Sequence, residues 1–496
     1  MRLVSSQRWE LVAASGVAMA VLALLRIALG LWGALGTDAP LWGLTARDLL
    51  VGARPLVPPL YPGLLAPFVA GGASPVTAGG GVSLCAGGLL FGLVAWGLRR
   101  QGCSRSTAWL AGLLCFALPD VAGWAFQLQP DALAAGWSVA LGLALAAQIS
   151  GRKGAAVAVL LLGGLAPLLR AHGLVWAATA MLGLLLGPKK QRWMALLVPV
   201  LMWLAPLLLG VGIGMHPLDF AWSDRAGGAL DALTTTDPST LSYLNELHRG
   251  QRLEYARLVT ERRRLAQLSW HALRSLSLAP DGWLLLLSGL VCAGIHSWKT
   301  RDRSHLAMAL PMLAALPALL IWSQRRHVVL MVPLALCCIV ALSHDRKLLL
   351  GLLALVLGAH AAVNWPSAIR GWQSERPRAE HYAELGTWLT HNAPPGSLLG
   401  GVFQDIGLYG PPMGRHDPDG SAADWWTMYV SDRAPPATPL GAWRVVYAGP
   451  AQMSVYQIAP DTSPRPCADR PPAKDTPHLA IAQAHAEVPG CTPPTQ

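Results

Sequence analysis

Charge is what this sequence has least of. Only 13% of its 496 residues are Asp, Glu, Lys or Arg, against about 25% in a soluble domain, too few to cover a water-facing surface. The cysteines exclude a second set of readings. None of the eight stands in C-x-x-C spacing, so neither a zinc ribbon nor a thioredoxin-type redox motif is present. Cys85, Cys103, Cys115, Cys292, Cys337 and Cys338 lie in or beside apolar runs and read as small apolar fillers. Cys467 and Cys491 stand alone in a polar tail, where an oxidising compartment would allow one disulfide. No Walker-type phosphate loop, G-x-S-x-G elbow or H-E-x-x-H helix occurs, which removes the chemistries those motifs carry.

What is present is apolar length. Apolar residues make up 53% of the chain, the mean hydropathy is +0.41, and uncharged runs recur throughout. A bilayer core about 30 Å thick takes about 20 such residues as a helix, and in lipid the backbone must satisfy its own hydrogen bonds. The expected fold is therefore an all-α polytopic membrane bundle. Candidate spans fall at 11–33, 77–98, 106–124, 131–149, 154–168, 174–187, 193–214, 282–298, 304–322, 328–343 and 347–364, about eleven in all. Met1 to Gly33 has too long an apolar part, and no A-x-A-like site, for a signal peptide. It reads as an uncleaved first span.

The net charge of +11 sits mostly in short loops. Arg2 and Arg8, Arg99 to Arg105, Arg152 and Lys153, Lys189 to Arg192, Lys299 to Arg303, and Arg346 with Lys347 all fall on one side if every span is real. The positive-inside rule then makes the N-terminus cytoplasmic and the C-terminus periplasmic or extracellular, in the inner (plasma) membrane. The basic balance is thus no sign of a nucleic-acid partner, and no basic stretch is interleaved with exposed aromatics as a nucleic-acid groove requires. Trp32, Trp42, Trp193, Trp283, Trp322 and Trp365 read as interface markers. The triplet Gly79-Gly80-Gly81 reads as helix packing.

Three organisational units are expected. Residues 1–364 form the membrane domain, with outer loops at 36–75 and 216–282. Residues 365–460 form a small α/β appendage, with a helix at 379–392 and strands at 397–403, 443–448 and 453–458. Residues 461–496 form a Pro-rich flexible tail. The middle loop carries a charged helical stretch, 241–277, with Leu244, Leu247, Leu258, Leu265 and Leu268 at helical spacing, suited to lying on the membrane or capping an outer cavity.

Chemistry-bearing residues gather at the outer ends. The fifth and sixth runs are short and joined by Arg170-Ala171-His172-Gly173, the kind of interrupted segment that marks binding sites at membrane depth. Arg170 must meet water, a carboxylate or an anion, or snorkel to the interface. Asp38 follows the first span, either as a solvated cap or as a reactive acid. Ala46 to Gly52 reads as a short interfacial helix carrying Asp48, and Pro58-Pro59-Leu60-Tyr61-Pro62 leads into an apolar stretch.

This order resembles the first outer loop of the GT-C superfamily, membrane glycosyltransferases that use polyprenyl-phosphate sugars, including the protein mannosyltransferase and aminoarabinose transferase branches. In that family an Asp-Glu pair follows the first span, with an aromatic four residues after the Asp, Ala eight after and Gly fourteen after, then a Pro-Pro-Leu-Tyr-like run. Asp38, Trp42, Ala46, Gly52 and Pro58 to Pro62 fit the spacing, while Ala39 stands where the family has Glu. Gln129-Pro130-Asp131 resembles the family's Pro-Asp at the outer end of a later span. Arg170 to Gly173 resembles its basic-x-x-Gly turn, and Arg326-His327 with Pro333 its Arg-Tyr…Pro entry. His381 to Leu385 with Pro394-Pro395-Gly396 resembles the start of its soluble tail. The middle loop and the end of the tail are not covered.

The resemblance implies transfer of a sugar from a polyprenyl-phosphate donor to a lipid, glycan or protein acceptor at the periplasmic face, with inversion. Asp38 would be the base that deprotonates the acceptor, with Asp131 a second acid. Tyr61, Arg170, His172, Arg325, Arg326 and His327 would bind substrate, the arginines holding the departing phosphate. For Arg325 and Arg326 an interfacial anchoring pair is the alternative. His172 and His327 offer imidazoles for a divalent ion with Asp38, but with no fixed ligand spacing, so no metal site or cofactor is assigned. Trp425-Trp426 would either stack on a sugar or pack in a core. Two other readings remain open: a catalytically inactive relative, for which Ala39 speaks, and a transporter, whose paired repeats are not evident.

Overall fold

A computed structural model describes residues 2–31, 39–50, 57–170, 173–208, 272–321, 325–343 and 346–392, and seven short strands between 398 and 492. Asp38, His172, Cys467, the Trp425-Trp426 pair and the middle loop up to residue 271 lie outside the described residues. The helices are α1 (Arg2–Ala28), α2 (Ala39–Leu50), α3 (Leu60–Ala70), α4 (Pro75–Arg100), α5 (Arg105–Cys115), α6 (Pro119–Phe126) and α7 (Asp131–Ile149). They continue with α8 (Ala155–Leu165), α9 (Gly173–Leu186), α10 (Leu197–Leu208), α11 (Ala272–Leu278) and α12 (Pro280–Thr300). The last are α13 (Ser304–Ile321), α14 (Arg325–Val329), α15 (Val332–Ser343) and α16 (Lys347–Asn392).

Among the described residues five helices are long and apolar enough to cross a membrane, and up to seven if each of two bent pairs is one span. The first bent pair, α5 and α6, turns by 80°, so the run expected at 106–124 is broken. Its cause is local: Pro119 opens α6, where its missing N–H costs nothing. The second pair, α11 and α12, turns by 102° at Ala279, before Pro280. The segments expected at 154–168 and 174–187 are short helices, α8 with a 3₁₀ turn at Ala166–Leu168, and α9.

Small residues set the packing. Helices α1 and α4 run antiparallel in close contact, because Gly88 and Gly92, four apart on α4, receive the backbone of Ser15 and Leu11, as small-xxx-small faces do. Gly163 receives Ala180, Gly164 receives Leu201, Gly142 the carbonyl of Met308, and Gly289 the backbone of Ala335. Of the glycine triplet, Gly79 lies against Leu128 and Gly80 against Arg26, while Gly81 has nothing near it. The span 325–343 is 83% buried and forms the centre, whereas the α1 span is only 22% buried and shows Val12, Val17, Leu24 and Ile27 outwards.

Two expectations are corrected, and at the boundary expected at residue 364 one unbroken helix, α16, 46 residues long, runs on. Polarity rises after Trp365, but the backbone ladder runs on through the polar stretch to Asn392. Helix α2 begins at Ala39, not Ala46, and Ala39, Trp42, Ala46 and Arg47 are buried along it, while Leu50 is exposed. Trp42 and Trp283, read as interface markers, are buried too. Beyond α16 the described strands form a five-stranded sheet, β2-β1-β3-β5-β4 in order, from β1 (Leu398–Gly401), β2 (Arg415–His416), β3 (Met428–Ser431), β4 (Trp443–Ala448) and β5 (Ser454–Ile458). The pairs β1–β2 and β1–β3 are parallel; β3–β5 and β4–β5 are antiparallel. Cys103, Cys115, Cys337 and Cys338 are buried and unbridged, as fillers are, while Cys85 is exposed.

Candidate active site at one end of the bundle

The helix ends are electrically unlike. At one end Glu10 of α1 meets Arg99 of α4 at 3.4 Å and Arg105 of α5 at 3.6 Å. This joins the first loop clusters as the charge pattern requires. At the other end the acids open helices: Asp120 in α6, Asp131 in α7 and Asp281 in α12, positions where a carboxylate faces the positive end of the helix dipole.

Asp131 is fully buried and paired in two places with Arg170: Nη1 lies 2.9 Å from Oδ1, and Nη2 donates to Oδ2 at 3.1 Å. Arg170 is itself 6% exposed. Its position comes from the break between α8 and α9. The 3₁₀ turn ends, the chain reverses, and Gly173 N–H donates to the Arg170 carbonyl at 2.8 Å. Only glycine fits at 173, because a Cβ there would overlap the backbone of Ala166 and Pro167. The family-like basic-x-x-Gly turn thus has a steric reason, and its product is an inward-facing arginine.

The same end holds Tyr61. Its hydroxyl shares a 2.9 Å hydrogen bond with Ser83 Oγ, which in turn donates to the Gln129 carbonyl at 3.3 Å. Gln129 lies two residues before Asp131, so the hydroxyl chain ties α3, α4 and the start of α7 together. Trp42 stands edge-on to Tyr61, with centroids 5.9 Å apart. The three- and four-residue steps from Ala39 to Trp42 to Ala46 therefore have a structural meaning: a buried helical face of α2, whose Trp42 lies beside Tyr61. Asp38 immediately precedes this helix in sequence.

Arg325 belongs to a second cluster. Its Nη1 and Nη2 donate to both oxygens of Asp281 at 2.8 and 2.6 Å, its Nε to Asp120 at 2.9 Å, and His360 of α16 stands 3.2 Å from Asp281. Two carboxylates thus claim most of the donors that were expected to face a phosphate, and α6, α12, α14 and α16 are clamped together. On the same short helix, α14, Arg326 is half-buried and His327 buried. Among the described residues no three His, Cys, Asp or Glu side chains converge on one point, so these residues by themselves do not form a metal centre.

Sequence reading missed Arg26. It lies inside an apolar run near the end of α1, yet is 6% exposed, with its guanidinium against Gly80 of α4 and Nε donating to the Leu31 carbonyl at 3.4 Å. The signal was available: an ionisable residue within a span marks a site by default.

No family model matches the chain, and no curated protein does. Among the solved structures to which the chain shows a likeness are two of oligosaccharyltransferases. The Archaeoglobus fulgidus oligosaccharyltransferase, in a crystal structure with zinc and sulfate, is 14% identical over 84% of this chain and 68% of its own, at a TM-score of 0.48. Oligosaccharyltransferase AglB from Archaeoglobus fulgidus, in complex with an inhibitory peptide and a dolichol-phosphate, is 14% identical over 80% of this chain and 63% of its own, at 0.41. Likeness at that level carries no argument about activity, and the functional reading rests on this chain's own residues.

Proposed function

We propose that this protein is a membrane glycosyltransferase that moves a sugar from a polyprenyl-phosphate donor to an acceptor hydroxyl at the outer membrane face, with inversion. One observation carries the reading. Residues that fit the GT-C pattern in sequence order, Trp42, Ala46, Tyr61, Asp131, Arg170 and Gly173, gather at one end of the bundle around a buried, hydrogen-bonded Asp131–Arg170 ion pair.

In this mechanism Asp38 removes the acceptor hydroxyl proton, and the oxygen attacks the anomeric carbon. The bond from that carbon to the donor phosphate oxygen breaks, and the electron pair leaves with the polyprenyl phosphate. Arg170 stabilises the charge on that leaving group, because a guanidinium in a water-poor site acts far more strongly there than in water. Asp131, first expected as a second acid, takes the part of orienting Arg170. Tyr61, at the same end of the bundle, and His172, two residues after Arg170 in sequence, are kept as substrate contacts. Arg325 takes the clamp role, while Arg326 and His327 are kept as substrate contacts. The acceptor is a lipid, glycan or protein, and a divalent ion fits the chemistry only through residues such as Asp38 and His172. About eleven spans, a cytoplasmic N-terminus and a periplasmic sheet domain complete the proposed topology.

The test is turnover. Purified protein in detergent, given radiolabelled polyprenyl-phosphate sugars, should release polyprenyl phosphate and label an acceptor. Absence of transfer and of donor hydrolysis with every donor, from folded protein, returns the chain to the inactive or transport readings.

A further inference from the structure

Arg26, like Arg47 of α2, is a buried charge that the mechanism has not used. Snorkelling from near the end of a span to the headgroups is the cheap course for such a side chain. Arg26 instead turns inward onto α4. Gly80 makes this feasible: a side chain there would stand where the guanidinium lies. One turn along the same face, the Tyr61 hydroxyl bonds to Ser83 and the Gly79 carbonyl. Ser83 Oγ donates onward to the carbonyl of Gln129, two residues before Asp131. Arg26 and Tyr61 thus meet at the start of α4, and a hydrogen-bond chain leads from Tyr61 to the start of α7, where Asp131 holds Arg170, all buried inside an apolar bundle.

We infer that Arg26 is a second phosphate-binding cation of this site, acting with Arg170 on the lipid-phosphate group. The inference rests on the proposed donor class and adds a residue from α1 to its phosphate pocket. Two guanidinia at the same end of the bundle, from separate elements and joined through the Tyr61–Ser83–Gln129 chain, suit a tetrahedral anion with several acceptor oxygens. An arginine placed only to end α1 would need neither the glycine nor the inward course.

The test compares binding of a polyprenyl phosphate with that of the matching polyprenol, which lacks the phosphate, to purified protein in detergent. Wild type should prefer the phosphate. Arg26→Gln should lose about tenfold or more of that preference, about 1.4 kcal/mol, while its affinity for the alcohol stays the same. Gly80→Ala keeps the charge but pushes the guanidinium aside, so it should lose preference too, and it serves if Arg26→Gln folds poorly. Arg26→Lys should recover part. Unchanged discrimination in both Arg26→Gln and Gly80→Ala, with wild type discriminating, overturns the role of Arg26 and leaves the donor reading standing. A wild type that does not distinguish phosphate from alcohol overturns both.

Discussion

The two carboxylate oxygens of Asp131 lie 2.9 and 3.1 Å from the two terminal nitrogens of Arg170, thirty-nine residues away, in a part of the bundle closed to solvent. A buried pair of this kind is expensive to break from one side, because the partner stays charged without compensation. Arg170→Ala and Asp131→Ala should each lower stability by about 3–5 kcal/mol. The double variant carrying both Arg170→Ala and Asp131→Ala should cost clearly less than their sum. Thermal unfolding in detergent, run as a double-mutant cycle, measures this; simple additivity would mean that the pair is not coupled.

Gly173 and Gly81 make a matched comparison. A methyl at 173 meets the backbone of Ala166 and Pro167, which cannot move aside as a side-chain tip does, whereas a methyl at 81 meets nothing. Gly173→Ala should cost about 1–3 kcal/mol or more through overpacking and displace Arg170, so donor turnover should fall with stability. Gly81→Ala should stay within about 0.5 kcal/mol of wild type. Equal effects at the two positions would refute the steric account of the turn.

Arg325 is held by Asp281 on two sides and Asp120 on a third, and lysine has no planar fork to replace it. Arg325→Lys should therefore lower thermal stability, by about 1–2 kcal/mol after screening at this half-exposed position, yet leave the half-saturating donor concentration within about twofold. A large rise in that concentration with unchanged stability would restore the phosphate role first expected for it.

For Tyr61 the main loss is its shorter hydrogen bond, since the contact with the Gly79 carbonyl is 3.4 Å long. Tyr61→Phe removes the 2.9 Å contact with Ser83, while Ser83 keeps its bond to the Gln129 carbonyl. The cost should be about 1 kcal/mol, and a larger drop in transfer rate than in stability would mark the hydroxyl as facing substrate.

Much of this was legible in the sequence. The spans of α4 and α7 and strand β4 follow from apolar length, from Pro75 and Pro130 at helix starts, and from β-rich composition at 443–448. The Asp131–Arg170 pairing was half legible: each residue was picked out, but a contact across thirty-nine residues has no local signal. Arg26 was lost because a single charge does not break an apolar run. The continuity of α16 was lost because hydropathy reports where a chain leaves lipid, not where its backbone ladder stops. The bend at residues 116–118 was legible in Pro119 and was overridden by the apolar length around it.

The most direct measurement is transfer from a labelled polyprenyl-phosphate sugar by wild type and by Asp38→Asn, which keeps side-chain size while removing the base. The account predicts turnover by wild type and a fall of at least about a hundredfold in the variant, with folding and polyprenyl-phosphate binding retained. Turnover undiminished in Asp38→Asn would contradict it.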